Sequence, residues 1–288
     1  MAHYYIKKNG ISQRFEPLKK DGTPYKVISK KVVAQYGAKI GITTQLKNHL
    51  DTGFLFGWAS RLGIDAAFEA ASAYITGVLK MEAFKDFDDA TKTYAKELFN
   101  TNSTKAADKG TEIHDAIDSY LKGGSLSDDP ILAKAQESVS EWIKSKGVDL
   151  SEVKTEHCVV FEGGIVVPTD DGGGIKYILG VNNGATADLI TTGVLADWKT
   201  IECAKDGKWY TGKIEHCAQL AFCRHAAADE GKCSNSAACF NVYLDRATGK
   251  IVEVKKWTEK QLDAGMQFVA RCYECDKAMQ QLEEAVKE

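Results

Sequence analysis

The sequence lacks an uninterrupted apolar run long enough to cross a lipid bilayer, so no membrane-spanning helix is predicted. It also lacks the pattern of a secretory signal, because residues 1–10 are polar and include two lysines. We find neither internal repeats nor low-complexity tracts among the 288 residues. These absences predict an ordinary globular protein, and the cytoplasm is its expected location.

The chain has little excess of charge of either sign. Its formal net charge at neutral pH is -3 and its pI is about 6.1, which is not typical of a nucleic-acid-binding protein. Residues 1–31 depart from this average, because they hold eight lysine and arginine residues against Glu16 and Asp21. Such a basic arm could contact phosphates, although a solvated, partly mobile N-terminus has the same composition.

Disulfide bonds are not expected either. Without a secretory signal, the eight cysteines should be reduced thiols. Cys272 and Cys275 form a C-x-x-C pair, but they lie in a strongly helical segment and no second C-x-x-C completes a zinc site. The spacing therefore favours ordinary thiols over a metal cluster.

The periodicity of apolar residues predicts a mixture of helices and strands. Residues 42–80 carry apolar residues at three- and four-residue spacing, which is typical of amphipathic helices. The next helix has Ile113 and Ile117 on its apolar stripe, with Gly110 and His114 sharing a face beside it. A helix over residues 131–146 follows.

The second half of the chain carries the strand signals. A β-branched segment at residues 153–161 precedes hairpins predicted to turn at residues 170–174, 192–193 and 247–249. Helices are expected after the second hairpin and after Thr258, which opens a capping box with Gln261. This order predicts an α/β (α+β) fold with a mixed central sheet flanked by helices.

The segment Gly184 to Thr200, GATADLITTGVLADWKT, places two acidic residues on otherwise apolar strands. If Thr192 and Gly193 form the turn, Asp188 stands opposite Asp197, and Lys199 shares their face. Opposed like charges destabilise a sheet, and a divalent cation bound by both carboxylates would remove the repulsion. Alternatively, Lys199 neutralises Asp197 while Asp188 points to solvent, and the residues alone leave both possibilities open.

The motif order resembles that of the PD-(D/E)xK nuclease superfamily, and more narrowly its RecB-like branch of phage-type and mitochondrial genome-maintenance exonucleases. GATAD followed by VLADWKT is similar to the G-x-x-x-D and D-x-K-T core, and GTEIH, with His114, is similar to the upstream helical motif. EHCVVF, with Glu156, resembles the first core strand, and EHCAQLAFC places Gln219 at the family's glutamine. Cys223 stands where relatives often have tyrosine, which puts a substrate contact in doubt.

This resemblance implies a restriction-endonuclease-like fold and a metal-dependent deoxyribonuclease. Its metal, one or two Mg²⁺ or Mn²⁺ ions, would be held by Asp188, Asp197, His114, Glu156 and the backbone carbonyl of Trp198. An iron–sulfur cluster, present in some relatives, is not expected because no cysteine precedes Cys158.

The resemblance also implies roles for two further side chains. Lys199 would orient or deprotonate the attacking water, and Gln219 would hold Lys199 or the phosphate. With Asp188, Asp197 and Glu156, they form the predicted catalytic set.

The predicted organisation is a helical, DNA-handling N-terminal region with the basic arm over residues 1–103, followed by the nuclease core over residues 104–288, which is expected to be one compact unit. The expected substrate is a single- or double-stranded DNA end in recombination, repair or processing, with a recombination or single-strand-binding protein as a possible partner. A structure-specific or restriction-type endonuclease and a non-catalytic DNA-binding protein are the alternatives. The oligomeric state, the polarity and the strand preference are left open.

Overall fold

The computed structural model describes residues 3–19, 22–25, 28–49, 108–168, 175–204 and 207–286. The chain divides into two compact units, one formed by Met1–Leu50 with His114–Glu288 and the other by Asp51–Ile113. Among the helices in the described ranges, none combines the length and apolarity that a bilayer span requires.

The strands in the described ranges all belong to the first unit. They are β1 (Tyr4–Lys8), β2 (Ile11–Arg14), β3 (Lys39–Gly41), β4 (Lys154–Pro168), β5 (Ile175–Ile190), β6 (Val194–Ile201), β7 (Ala238–Asp245) and β8 (Ile251–Lys256). The helices within the described residues are α1 (Lys30–Tyr36), α2 (Ile42–His49), α3 (described over 108–121), α4 (Pro130–Ser145), α5 (Ile214–Asp229) and α6 (Glu259–Ala285), with a 3-10 turn at Leu150–Glu152.

These strands form one mixed sheet with the order β2-β1-β3-β5-β6-β7-β8, and β4 pairs with β5 outside this path. The β3–β5 and β6–β7 pairs are parallel, and the other pairs are antiparallel. On one face, Trp142 of α4 packs edge-on against Trp198 of β6. On the other face, α5 and α6 share a buried apolar cluster with β4 and β5. The predicted mixed sheet flanked by helices is confirmed.

The hairpin of β5 and β6 has the predicted register. Leu189 pairs with Ala196, and Ile190 pairs with Leu195. The Thr191 N–H donates to the Val194 carbonyl at 2.8 Å, which leaves Thr192 and Gly193 as the two loop residues. The turn predicted at residues 170–174 lies outside the described residues, although β4 and β5 pair antiparallel on either side of it.

The basic arm, which precedes the predicted helices, contains a hairpin that was not predicted from the sequence. β1 and β2 form a hairpin that reaches β5 through β3, so this part of the basic arm belongs to the central sheet. Gly184 of β5 accommodates the ring of Tyr5, because a Cβ at Gly184 would lie 2.2 Å from the Tyr5 Cβ. The boundary predicted at residue 103 stays a prediction, since residues 50–107 lie outside the described residues.

Candidate metal centre and active site

Asp188 lies where the β5–β6 hairpin opens. The backbone pairing of these strands ends at Leu189 and Ala196, one position before Asp188. At this point the Asp188 Oδ2 accepts the Trp198 N–H at 2.6 Å, so a side chain replaces the backbone acceptor. Asp188 is only 8% exposed, and burial of a carboxylate is costly unless charges or donors compensate it.

Two further potential ligands lie beside Asp188. The Nδ1 atom of His114, on α3, is 3.6 Å from the Asp188 Oδ2. Glu156, on β4, lies across from Asp188, because its neighbours Thr155 and His157 pair with the residues on either side of Asp188. One ligand atom from each of His114, Glu156 and Asp188 lies within 4.8 Å of the others. This group is called the metal-ligand cluster below.

Glu156 adopts an unusual backbone conformation within its strand. Its φ angle is 47°, in the left-handed region that residues other than glycine rarely occupy. Such strained residues concentrate at functional sites, where the surroundings hold them in place. Glu156 lies across from the Asp188 carboxylate, and its backbone departs from the regular β conformation. The alternation of side chains along a strand does not predict either feature.

The electrostatics of the metal-ligand cluster favour a bound cation. Burial and the Asp188 carboxylate raise the pKa of Glu156 to about 7, although Arg14, 3.7 Å away, opposes this rise. Asp118, one turn beyond His114 on α3, adds further negative charge. Burial disfavours the imidazolium of His114, but the Asp188 carboxylate outweighs it and raises the His114 pKa. The Glu156 carboxyl is therefore partly protonated near neutral pH, and a metal ion would displace that proton.

Asp197 is held by a second set of side chains. Its Oδ2 lies 2.7 Å from the Lys199 Nζ and accepts the Asn241 Nδ2 at 2.8 Å. Its Oδ1 accepts the Gln219 Nε2 at 3.2 Å, and the Lys199 Nζ donates to the Gln219 Oε1 at 3.3 Å. Asp197 is only 4% exposed. Three donors, one of them the Lys199 ammonium, offset part of the cost of burying this carboxylate.

Asn241 and Trp257 are site residues that sequence reasoning missed. The indole N–H of Trp257 donates to the Asn241 Oδ1 at 2.7 Å, so the Asn241 amide must present its Nδ2 to Asp197. Asn241 is completely buried in the middle of β7. The signal in the sequence is an asparagine inside the apolar stretch ACFNVYL, since a buried polar group needs partners.

The structure agrees in part with each of the two alternatives for Asp188 and Asp197, a shared cation or neutralisation of Asp197 by Lys199. Lys199 does neutralise Asp197, yet Asp188 is buried and not directed to solvent. In the described residues, the metal-ligand cluster includes His114 and Glu156 with Asp188 but not Asp197. The ligand roles of Asp197 and of the Trp198 carbonyl therefore stay predictions, and it is the Trp198 N–H that contacts Asp188.

The protonation of Lys199 limits what this side chain can do. Burial disfavours its ammonium form, but the carboxylates of Asp197 and Asp188 outweigh burial and raise the Lys199 pKa. The pKa of Asp197 is raised by burial, and the Lys199 ammonium opposes that shift. We take Lys199 as a cation, which suits orienting water and stabilising negative charge better than removing a proton.

Comparisons with known proteins leave the family open. No family model matches the sequence, and no curated protein matches it. A candidate exonuclease from Eubacterium rectale is similar over 62% of this chain and 70% of its own, with 16% identity and a TM-score of 0.36. A protein named SSO0001 is similar over 73% of this chain and 84% of its own, with 13% identity and a TM-score of 0.28. Both TM-scores are low, so neither similarity assigns a family or an activity to this chain.

Proposed function

We propose that this chain is a metal-dependent nuclease that hydrolyses phosphodiester bonds of DNA, acting from strand ends. The observation that supports it most strongly is the juxtaposition of two groups of side chains. The metal-ligand cluster offers one imidazole and two carboxylates within 4.8 Å, and Asp188 also interacts electrostatically with Lys199. A cation site beside a fixed ammonium group suits a reaction in which a dianionic phosphorane forms.

The donor set fits Mg²⁺ or Mn²⁺. Carboxylate oxygens are the ligands that these ions prefer, and the cluster supplies two of them. His114, Glu156 and Asp188 would hold the ion, and Asp197 would adjoin it. When bound, such an ion would lower the pKa of a coordinated water and would offset the negative charge of the scissile phosphate.

Lys199 and Gln219 would act next to that ion. The Lys199 ammonium is fixed by Asp197 at 2.7 Å and by Gln219 at 3.3 Å, so its position is set before substrate binds. A preorganised cation loses little energy to reorganisation when charge develops on the phosphate oxygens. Gln219, which also donates to Asp197, keeps the Lys199 and Asp197 side chains in one arrangement.

The decisive experiment uses end-labelled linear DNA and closed-circular DNA, each incubated with Mg²⁺, with Mn²⁺ or with EDTA. We expect metal-dependent loss of linear DNA only, because an exonuclease needs a strand end and a closed circle has none. Such an enzyme would act in a DNA-processing reaction such as recombination or repair. Nicked circles would instead identify an endonuclease. Binding without cleavage under every metal condition would favour a non-catalytic DNA-binding protein and would overturn the proposal.

Site variants connect the activity to the metal-ligand cluster. Glu156→Gln and Asp188→Asn keep the side-chain shapes but remove ligand charge, so both should lower cleavage by at least about 100-fold. Glu162→Gln is the matched control. Glu162 lies on β4, as Glu156 does, but its carboxylate is exposed and forms an ion pair with Lys39. Equal losses in the control and in the two site variants would contradict a specific role for the cluster.

A further inference from the structure

The loop between β6 and α5 is attached to the sheet beside Lys199. The Gly212 N–H donates to the Tyr243 hydroxyl at 2.8 Å, and the Thr211 hydroxyl donates to the Glu253 Oε2 at 2.6 Å. Tyr243 is the β7 partner of Lys199, and Glu253 is the β8 partner of Tyr243. The loop is therefore bonded to residues on β7 and β8 that lie level with Lys199, the candidate catalytic lysine.

Gly212 makes this attachment possible. Its φ angle is 65°, in the left-handed region where glycine carries no steric penalty. The turn of the chain at Gly212 aims its N–H at Tyr243, while the half-buried Thr211 bonds to Glu253 and Lys213 is exposed. Thr211 and Gly212 thus attach the segment 207–214 next to the site.

The chemistry that this segment exposes is aromatic and cationic. Tyr210 is 60% exposed and Ile214 is 68% exposed. Lys208 and Lys213 are exposed as well, and Trp209 is half-buried between them. Residues 207–214 contain no acidic residue. Aromatic rings interleaved with lysines are typical of surfaces that bind single-stranded nucleic acid.

The groups beneath the loop carry charges of both signs. His216 follows the loop on α5, and its Nδ1 lies 2.9 Å from the Tyr243 hydroxyl. Burial lowers the pKa of His216 to about 3, and the positive charges of Lys199 and Lys213 contribute to that shift. Burial raises the pKa of the neighbouring Tyr243 hydroxyl to about 12, and the carboxylates of Asp197, Glu253 and Glu215 add to this rise. Charges of both signs therefore lie beneath the loop, and the exposed lysines are its cationic part.

We propose that residues 208–214 bind an unpaired nucleic-acid strand, with the Tyr210 ring stacked on a base and Lys213 against a phosphate. The proposal rests on the nuclease function above and gives it a substrate class, a strand that is single-stranded where it meets the site. A base within a duplex is already stacked on both sides and offers the Tyr210 ring no free face.

The test measures binding by fluorescence anisotropy, in EDTA, of a labelled oligothymidylate and of a blunt duplex of the same length. Tyr210→Ala should weaken oligothymidylate binding by about 5-fold to 150-fold, the range measured for one stacked base, while Tyr210→Phe keeps the ring and should bind like the wild type. Lys213→Gln should reduce the salt dependence of log K by about 0.7, the contribution of one phosphate contact on a single strand.

Several results would overturn the proposal. They are unchanged oligothymidylate binding in Tyr210→Ala, an equal loss on the duplex, an equal loss in Tyr210→Phe, and no oligothymidylate binding by the wild type. Metal-dependent hydrolysis of thymidine 5′-(p-nitrophenyl phosphate) by the wild type tests the nuclease function separately, because this small ester has no neighbouring bases. Hydrolysis of the ester together with unchanged binding in Tyr210→Ala would leave the nuclease function standing and reject the strand surface.

Discussion

Metal binding should depend on pH through Glu156, because this carboxyl has a pKa of about 7 in the metal-free protein. An ion requires the ionised carboxylate, so the proton and the metal compete for the same oxygens. About one unit below this pKa only about a tenth of the carboxyl is ionised, and each further unit costs about tenfold in affinity, or about 1.4 kcal/mol. Since the raised pKa of His114 acts in the same direction, affinity should rise with pH through neutrality.

The assay is calorimetric titration with Mn²⁺ at about pH 6, 7 and 8, spanning the Glu156 pKa, on the wild type, Glu156→Gln and Glu162→Gln. The Glu156→Gln variant should bind Mn²⁺ more weakly at high pH, and its pH dependence should be shallower because only the His114 proton still competes. Glu162→Gln should follow the wild type. A wild-type affinity that stays constant over this range, or an unchanged pH dependence in Glu156→Gln, would refute the reasoning.

Two predictions concern stability, and urea unfolding at neutral pH measures both. Asn241→Leu removes the donor to buried Asp197 and the acceptor of the Trp257 indole, so it should cost about 2–5 kcal/mol. Trp257→Phe keeps the contact of Asn241 with Asp197 but loses the indole donor and part of a buried ring, and it should cost about 1–3 kcal/mol. Equal unfolding free energies for the two variants would show that the hydrogen bond from Asn241 to Asp197 adds no stability. Gly184→Ala drives a methyl group into Tyr5, 2.2 Å from its Cβ, and should cost about 1–3 kcal/mol or more, while the same change at Gly193, where a Cβ meets nothing, should cost less. A Gly184→Ala protein as stable as the wild type would contradict the packing of β1 on β5.

The sequence predicted the hairpin of β5 and β6 well because its register follows from local rules. A two-residue loop and alternation along each strand place Leu189 opposite Ala196 without any knowledge of the rest of the fold. The capping box at Thr258 is equally local, and it forms as predicted. Elements defined by neighbours in sequence were thus accessible to pattern reasoning.

What could not be predicted depends on long-range partners. Glu156 and Asp188 face each other only because β4 pairs with β5 across a long hairpin whose register includes a shift near Gly163. Nothing local to β1 indicates that Tyr5 packs on Gly184, since β1 and β5 lie far apart in sequence and are brought together by β3, which pairs with both. Asn241 similarly acquires its role from a parallel neighbour, β6, that lies far from it in sequence.

The N-terminal hairpin changes how the amino-terminal basic segment can be studied. Deleting residues 1–14 would uncover Gly184 and would also take the guanidinium of Arg14 away from Glu156. A truncated protein that no longer bound DNA would therefore not distinguish lost phosphate contacts from a damaged sheet and an altered metal site. Charge-removing substitutions at exposed positions such as Lys8 and Lys19 keep the hairpin intact and isolate the electrostatic contribution.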